Sequence, residues 1–277
     1  MSSIILRLIA SCNDANLNDS GSTGDTGVDT AVPPPEMADV SMPSNGSSTI
    51  VFANAAGVPQ AFYLGSFYEM TDPYVSAIAF NTPSTPDTCG LTLYTQAESS
   101  AGTGGTQVAQ SAGIVTLNGP TGLFLPNQIS VGVYQLNMDP ATFPFHSTWD
   151  MSGDGDLYPA FAGSIEVPGA FDVITPVSGF ALNGRLQVTW TTPTVDPTPL
   201  TIRLETVNSA TGDSGLIYCT VTNDGAFTIP AGMVNQLPTR DYTSLHMQKR
   251  ISRTIETSDT NRSLQLNVAV TAIIFGQ

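Results

Sequence analysis

Leu186-Gln187-Val188-Thr189-Trp190 sets three large apolar side chains on one phase of a two-residue repeat and two polar ones on the other. A strand that buries one face and wets the other reads this way, because successive side chains point to opposite sides of a sheet. Leu264, Leu266, Val268 and Val270 repeat the pattern against Gln265, Asn267 and the small Ala269. Residues 75–80, 114–117, 130–134, 200–204 and 217–221 give further strands of the same kind. Asn118-Gly119-Pro120, Ser152-Gly153-Asp154-Gly155-Asp156, Asn183-Gly184 and Asn223-Asp224-Gly225 supply turns between them. No long window beyond residue 49 carries a 3.6-residue apolar period, so helix content should be low. The expectation is an all-β chain built from two consecutive β-sandwich units of immunoglobulin or fibronectin type.

The boundary between the units is expected near 168–176, where Val-Pro-Gly-Ala-Phe-Asp-Val-Ile-Thr-Pro leads from one unit into the next. It divides the core into 49–170 and 171–277, each close to the size of one sandwich. Trp190 is the natural core aromatic of the second unit. Residues 13–48, rich in Gly, Ser, Thr, Asp and Pro, hold too few large apolar side chains to offset chain entropy and read as a disordered linker. Residues 1–12 form a short apolar leader that ends at Cys12.

Charge divides the chain as sharply as composition does. The 277 residues carry 8 Lys and Arg against 23 Asp and Glu, a formal net charge of −15. Nucleic acid is thereby excluded as a partner, because phosphate binding needs clustered cations. Arg7 is followed by no Lys or Arg until Arg185, whereas residues 185–277 hold 7 acidic and 7 basic residues. The acidic surface belongs to the first two thirds and the second unit is electrically balanced. Lys249, Arg250 and Arg253 fall on one expected strand with Leu245, Met247, Ile251 and Ile255. They read as edge charges that discourage sheet-to-sheet association, or as a docking surface for the acidic unit or a like molecule.

Ile9-Ala10-Ser11-Cys12 resembles a bacterial lipobox, in which the leader is cut before a cysteine that then carries lipid. By that resemblance Cys12 is the lipidation site and Asn13 suits delivery to an outer membrane. Arg7 interrupts the apolar run and the leader is short for a signal peptide, as a start codon assigned too far downstream would explain. The leader is also too short to span a bilayer, so any membrane contact would be through the lipid only.

A wider resemblance covers most of 9–277. The run 186–191, the strand ending Tyr218-Cys219-Thr220-Val221, and Asp224-Gly225-Ala226-Phe227-Thr228-Ile229-Pro230-Ala231 resemble the C-terminal Ig-like domain of uncharacterised surface lipoproteins of myxobacteria-like bacteria. Residues 111–119, Gly132-Val133-Tyr134 and 158–165 look like the β-rich domain before it. The Asp/Thr/Gly-rich tether after Cys12 is also similar. The resemblance implies an anchored surface protein and ties its motifs to no activity. It also implies a cysteine pair within the first unit, and this chain lacks one.

With Cys12 acylated, Cys89 and Cys219 remain, either as one disulfide or as two separate buried thiols. Their places in different expected units weigh toward the thiols. Asp150-Met151-Ser152-Gly153-Asp154-Gly155-Asp156 resembles the start of a calcium loop, but its twelfth position is Phe161 and not the bidentate Glu. A β-turn is the simpler reading, and Asp150, Asp154 and Asp156 are the weak Ca²⁺ candidates; no other cofactor is expected. His146 and His246 are the only histidines, and no metalloprotease, nucleophile-elbow or phosphate-loop motif accompanies them. Paired carboxylates of glycosidase type depend on the fold and are not read from spacing.

The chain is therefore expected to be a lipid-anchored module at the cell surface, outer membrane or beyond. It would be non-catalytic, with a protein or glycan partner. A subunit of a self-assembling extracellular structure is the alternative, and an extracellular hydrolase the remote one. The charge distribution has a direct consequence for proteolysis: trypsin should release 8–185 as one uncut fragment from the reduced, unfolded chain. Mass spectrometry of that digest showing any smaller product from the interval would contradict the reading.

Overall fold

A computed structural model describes residues 46–70, 83–95, 97–98, 107–192, 196–238 and 240–277. The leader with Cys12, the linker up to residue 45 and the expected strand at 75–80 lie outside the described residues. Seventeen strands follow in chain order. They are β1 (Gly46–Ala55), β2 (Val58–Met70), β3 (Thr88–Tyr94), β4 (Gln107–Ala109), β5 (Val115–Gly119), β6 (Gly122–Phe124), β7 (Asn127–Ser130) and β8 (Val133–Met138). Then come β9 (Thr148–Gly153), β10 (Phe161–Glu166), β11 (Val173–Thr175), β12 (Leu186–Trp190), β13 (Leu200–Val207), β14 (Ser214–Val221), β15 (Ala226–Ile229), β16 (Tyr242–Glu256) and β17 (Ser263–Phe275). An α-turn, Ala231–Val234, follows β15. The fold is all-β, as the alternating pattern requires.

A long sheet runs in the order β3-β14-β13-β16-β17-β1-β2-β8-β7, with β4 beside β2. Two small sheets, β10-β9-β5-β6 and β11-β12-β15, complete the set. The first hydrophobic cluster joins β5, β9 and β10 to β1, β2, β8 and one end of the β16–β17 hairpin, through residues such as Trp149, Tyr63, Ile255 and Leu266. The second joins β12 and β15 to β13, β14 and the other end of the hairpin, through Trp190, Ile202, Met247 and Ile274. Residues 168–176 are thus where one cluster gives way to the other. They do not separate two sheets, since the long sheet takes strands from both sides of 170. At 15 and 13 residues, β16 and β17 are each long enough, roughly 40–50 Å, to serve both clusters.

Local chemistry sets the strands. Ala56 (φ 50°) and Gly57 (φ 84°) make the two-residue turn between β1 and β2, a left-handed pair of the kind that matches strand twist. Gly46–Ser48, read from composition as linker, instead open β1. Ser48 is fully buried, its hydroxyl paired with Tyr63 Oη at 2.9 Å and directed to Met151 Sδ at 3.2 Å. β1 lies between β2, antiparallel, and β17, parallel. The expected strand 130–134 is divided by a turn at Val131-Gly132, because Gly132 adopts φ 72°. Gly119 has another reason to be glycine: a Cβ there would meet the Trp149 ring at 2.7 Å. Trp149, Phe67, Tyr134, Tyr158 and Phe161 fill the first cluster, with Phe67 against three of the other rings at centroid distances of 5.1–5.5 Å.

The pattern of β17 is only half as expected. Its inward phase is buried, but so are Asn267, Ala269 and Thr271 on the other phase. Asn267 Oδ1 accepts from Arg250 Nη2 and from Ser252 Oγ, both at 2.8 Å, and Gln248 Nε2 donates to Thr271 Oγ1 at 3.1 Å. Long polar side chains of β16 therefore satisfy and cover the outer face of β17.

Candidate functional site

Lys249 sits on the inward phase of β16, in register with the buried Leu200 of β13 on one side and Val270 of β17 on the other. Its side chain is 0% exposed. β16 is thus an interior strand, and the reading of Lys249 as an edge charge is corrected. Three groups from two segments meet its ammonium group. Asp196, on the loop between β12 and β13, places Oδ2 at 2.9 Å from Nζ. Gly169, on the buried crossing from β10 to β11, offers its carbonyl at 3.4 Å. The Phe171 ring lies under Nζ, 5.6 Å to its centroid.

The carboxylate is fixed as firmly as the amine. Oδ2 also accepts the Gly169 N–H at 2.8 Å, and Oδ1 accepts the Thr198 N–H at 2.9 Å, an Asx-type turn that the loop sequence Asp196-Pro197-Thr198 permits. The Asp196 carbonyl accepts from Asn223 Nδ2 at 2.8 Å, and Trp190 Nε1 donates to Asn223 Oδ1 at 2.9 Å. The core tryptophan of the second cluster therefore orients the amide that pins the loop. Burial alone would push the Asp196 carboxyl up. Hydrogen bonds from Thr198, Lys249 and Gly169 outweigh that and hold it at about 2.

His146 completes the surroundings. It has φ 53° in the turn before β9, and a Cβ on Gly169 would lie 2.5 Å from His146 Nε2 and 3.1 Å from Asp196 Oδ2. The imidazole and the carboxylate are therefore separated by no more than the sum of those distances. Gly169 is glycine because any side chain would displace one or the other. His146 is exposed while the ion pair is not.

The remaining sequence candidates are dispersed. Asp150 points outward from β9 and accepts from Ser164 Oγ at 2.7 Å. Asp154 and Asp156 lie in the following turn, whose backbone is bound to Ile114 and Tyr158. Among the described residues no three His, Cys, Asp or Glu side chains converge on a point suited to a metal. Cys12 is outside the described residues. Cys89 and Cys219 are bridged, with sulfurs 2.05 Å apart and a loop of 130 residues closed between them. This overturns the weighting toward separate thiols: β3 and β14 are adjacent strands of the long sheet and hold the two cysteines directly opposite. Arg253 donates to the Ser164 carbonyl, and Arg262 reaches Glu69 at 3.4 Å and Gln110 Oε1 at 2.6 Å.

His246 lies on the outward phase of β16, with Nε2 3.0 Å from Ser244 Oγ. Burial, with a smaller contribution from the Arg203 guanidinium, pushes its imidazole down to about 3.

Sequence reasoning named Lys249 but misjudged its side of the strand, and it missed Asp196, Gly169 and Asn223. A signal for Lys249 was present: it shares odd parity with Leu245, Met247 and Ile251. Nothing in the loop Thr-Thr-Pro-Thr-Val-Asp-Pro-Thr-Pro marks Asp196, because its partner is 53 residues away.

Two outcomes follow from these environments. Asp196→Ala leaves a buried ammonium without its counter-ion and should cost about 3–5 kcal/mol in denaturant unfolding. Replacing both partners, Asp196→Leu with Lys249→Met, should recover much of that loss, short of the part due to the Gly169 and Thr198 N–H groups left without an acceptor; equal costs for single and double variants would refute the pairing. His246 is neutral in the fold and takes a proton in the unfolded chain below about 6.5. Stability should therefore decline as pH falls from about 6.5 toward about 3, by up to about 1.4 kcal/mol per pH unit from this group. His246→Gln should flatten that limb of the pH profile in chemical denaturation.

No protein-family model matches the chain and no curated protein matches it at significance, so what it does is read from its own residues.

Proposed function

We propose that the protein is exported and acts at the cell surface, or beyond it, as a non-catalytic binding or structural module tethered through a lipid on Cys12. The Cys89–Cys219 bridge is the observation that carries this reading. Disulfides persist in oxidising compartments and are scarce where thiol reductants circulate. This one closes 130 residues and ties β3 to the long sheet, a contribution of about 5 kcal/mol in the chain-entropy account. A scaffold role is compatible with the pairing of the buried polar groups among the described residues. Lys249 and Asp196 are spent on each other inside the core, and His246, half-buried on β16, is neutral at ordinary pH. The ligand, on this reading, is a protein or glycan met at the surface. The acidic face of the N-terminal half disfavours anionic polymers.

Export and anchoring are tested together in cells that make the full chain. A palmitate analogue should label the wild type and not Cys12→Ser, and maleimide added at lysis should find Cys89 and Cys219 blocked until a reductant is supplied. Label that does not depend on Cys12 would dispose of the anchor, and reactive thiols in the freshly lysed sample would dispose of export.

A further inference from the structure

Lys249 and Asp196 form a contact with the geometry of a reaction as well as that of an ion pair. The amine nitrogen is 2.9 Å from Oδ2, and both side chains are almost wholly shut off from water. Lys249 is gripped by an interior strand, and the Asp196 carboxylate is bound at Oδ2 by the Gly169 N–H and at Oδ1 by the Thr198 N–H. Holding two reactants at such a distance removes much of the entropic barrier to their joining. We propose that Lys249 and Asp196 condense within the folded chain to an amide, an intramolecular isopeptide bond between β16 and the β12–β13 loop.

The step balances without any further reagent. The Nζ–Cγ bond forms and the Cγ–Oδ2 bond breaks. The ammonium group gives up two protons, and Oδ2 leaves with them as water. The first proton crosses the existing hydrogen bond to Oδ2, which yields a neutral amine facing a neutral acid. After attack, Oδ1 carries the developing negative charge, and the Thr198 N–H already points at it. The second proton passes from nitrogen to the leaving oxygen, with the Thr198 hydroxyl, hydrogen-bonded to the same carboxylate, and the His146 imidazole across Gly169 as the groups at hand to relay it. Exclusion of water from the pair then opposes hydrolysis of the product. Hydrogen bonds that favour the carboxylate oppose the first proton transfer, so the bond accumulates slowly after folding and not during it.

Other groups near the pair do not compete. Phe171 lies beneath the nitrogen, Leu200 and Val270 flank it in register, and the Gly169 carbonyl is an acceptor only. The inference is independent of export and anchoring.

Peptide mapping of the purified full chain tests it. After denaturation, reduction of Cys89–Cys219 and digestion with trypsin, an amide-bonded chain keeps fragment 186–203 joined to 241–250, because trypsin does not cut after an acylated lysine. The joined species is lighter than its two parts by one water. It should increase with incubation of the folded protein, stay constant in protein kept in denaturant, and be absent from Lys249→Met. Full recovery of free 186–203 from aged, folded wild type would show an ion pair only and overturn the proposal, as would a joined species that survives Lys249→Met.

Discussion

Thirteen consecutive register pairs join β16 to β17, from Ser244 opposite Phe275 to Glu256 opposite Ser263. Each of the two hydrophobic clusters draws on a different end of this ladder: Ile255, Leu264, Leu266 and Val268 on one, Leu245, Met247, Val270, Ala272 and Ile274 on the other. Neither small sheet has a complete partner without the hairpin. Phe52 and Phe145, ring centroids 4.9 Å apart, touch both clusters and close the gap between them. Two cores on one continuous sheet should unfold together, because loss of the hairpin exposes both.

The buried charge lies where the crossing segment 167–171 passes between the clusters. Backbone polar groups on such a buried segment must find partners within the protein. Gly169 solves this by giving its N–H to Asp196 and its carbonyl to Lys249. An apolar pair would fill the same volume and leave those two groups unsatisfied. The ion pair therefore serves the peptide that runs beside it, and its geometric demands fix where the β12–β13 loop must end.

Strand identity was legible because alternation is local. Residues 186–190 became β12 with the expected face buried, and 200–204 and 217–221 fell within β13 and β14. What failed depended on long-range partners. Asn267 looked like an outward, solvated residue, and is buried because Arg250 and Ser252 reach across from the next strand. Ser47 and Ser48 looked like linker, since serine carries no apolar signal; the hydroxyl of Tyr63 gives Ser48 its place. Cys89 and Cys219 looked remote because they fell in different expected units, yet β3 returns to the sheet at its far edge, beside β14. The two expected sandwiches shared a sheet for the same reason: strand pairing between the first strand and the last leaves no trace in either sequence.

That pairing has a mechanical side. β1 and β17 run parallel through nine register positions, Ser47–Gln265 to Ala55–Ile273, so the chain enters at one end of the pair and leaves β17 at the opposite end. A pull on the segment before Gly46, resisted at the C-terminal end of β17, slides the two strands along each other. Every hydrogen bond between them then bears load at the same moment, whereas an antiparallel terminal pair would peel open one bond at a time. Traction applied between the chain before Gly46 and the end of β17 is thus resisted along the whole ladder at once.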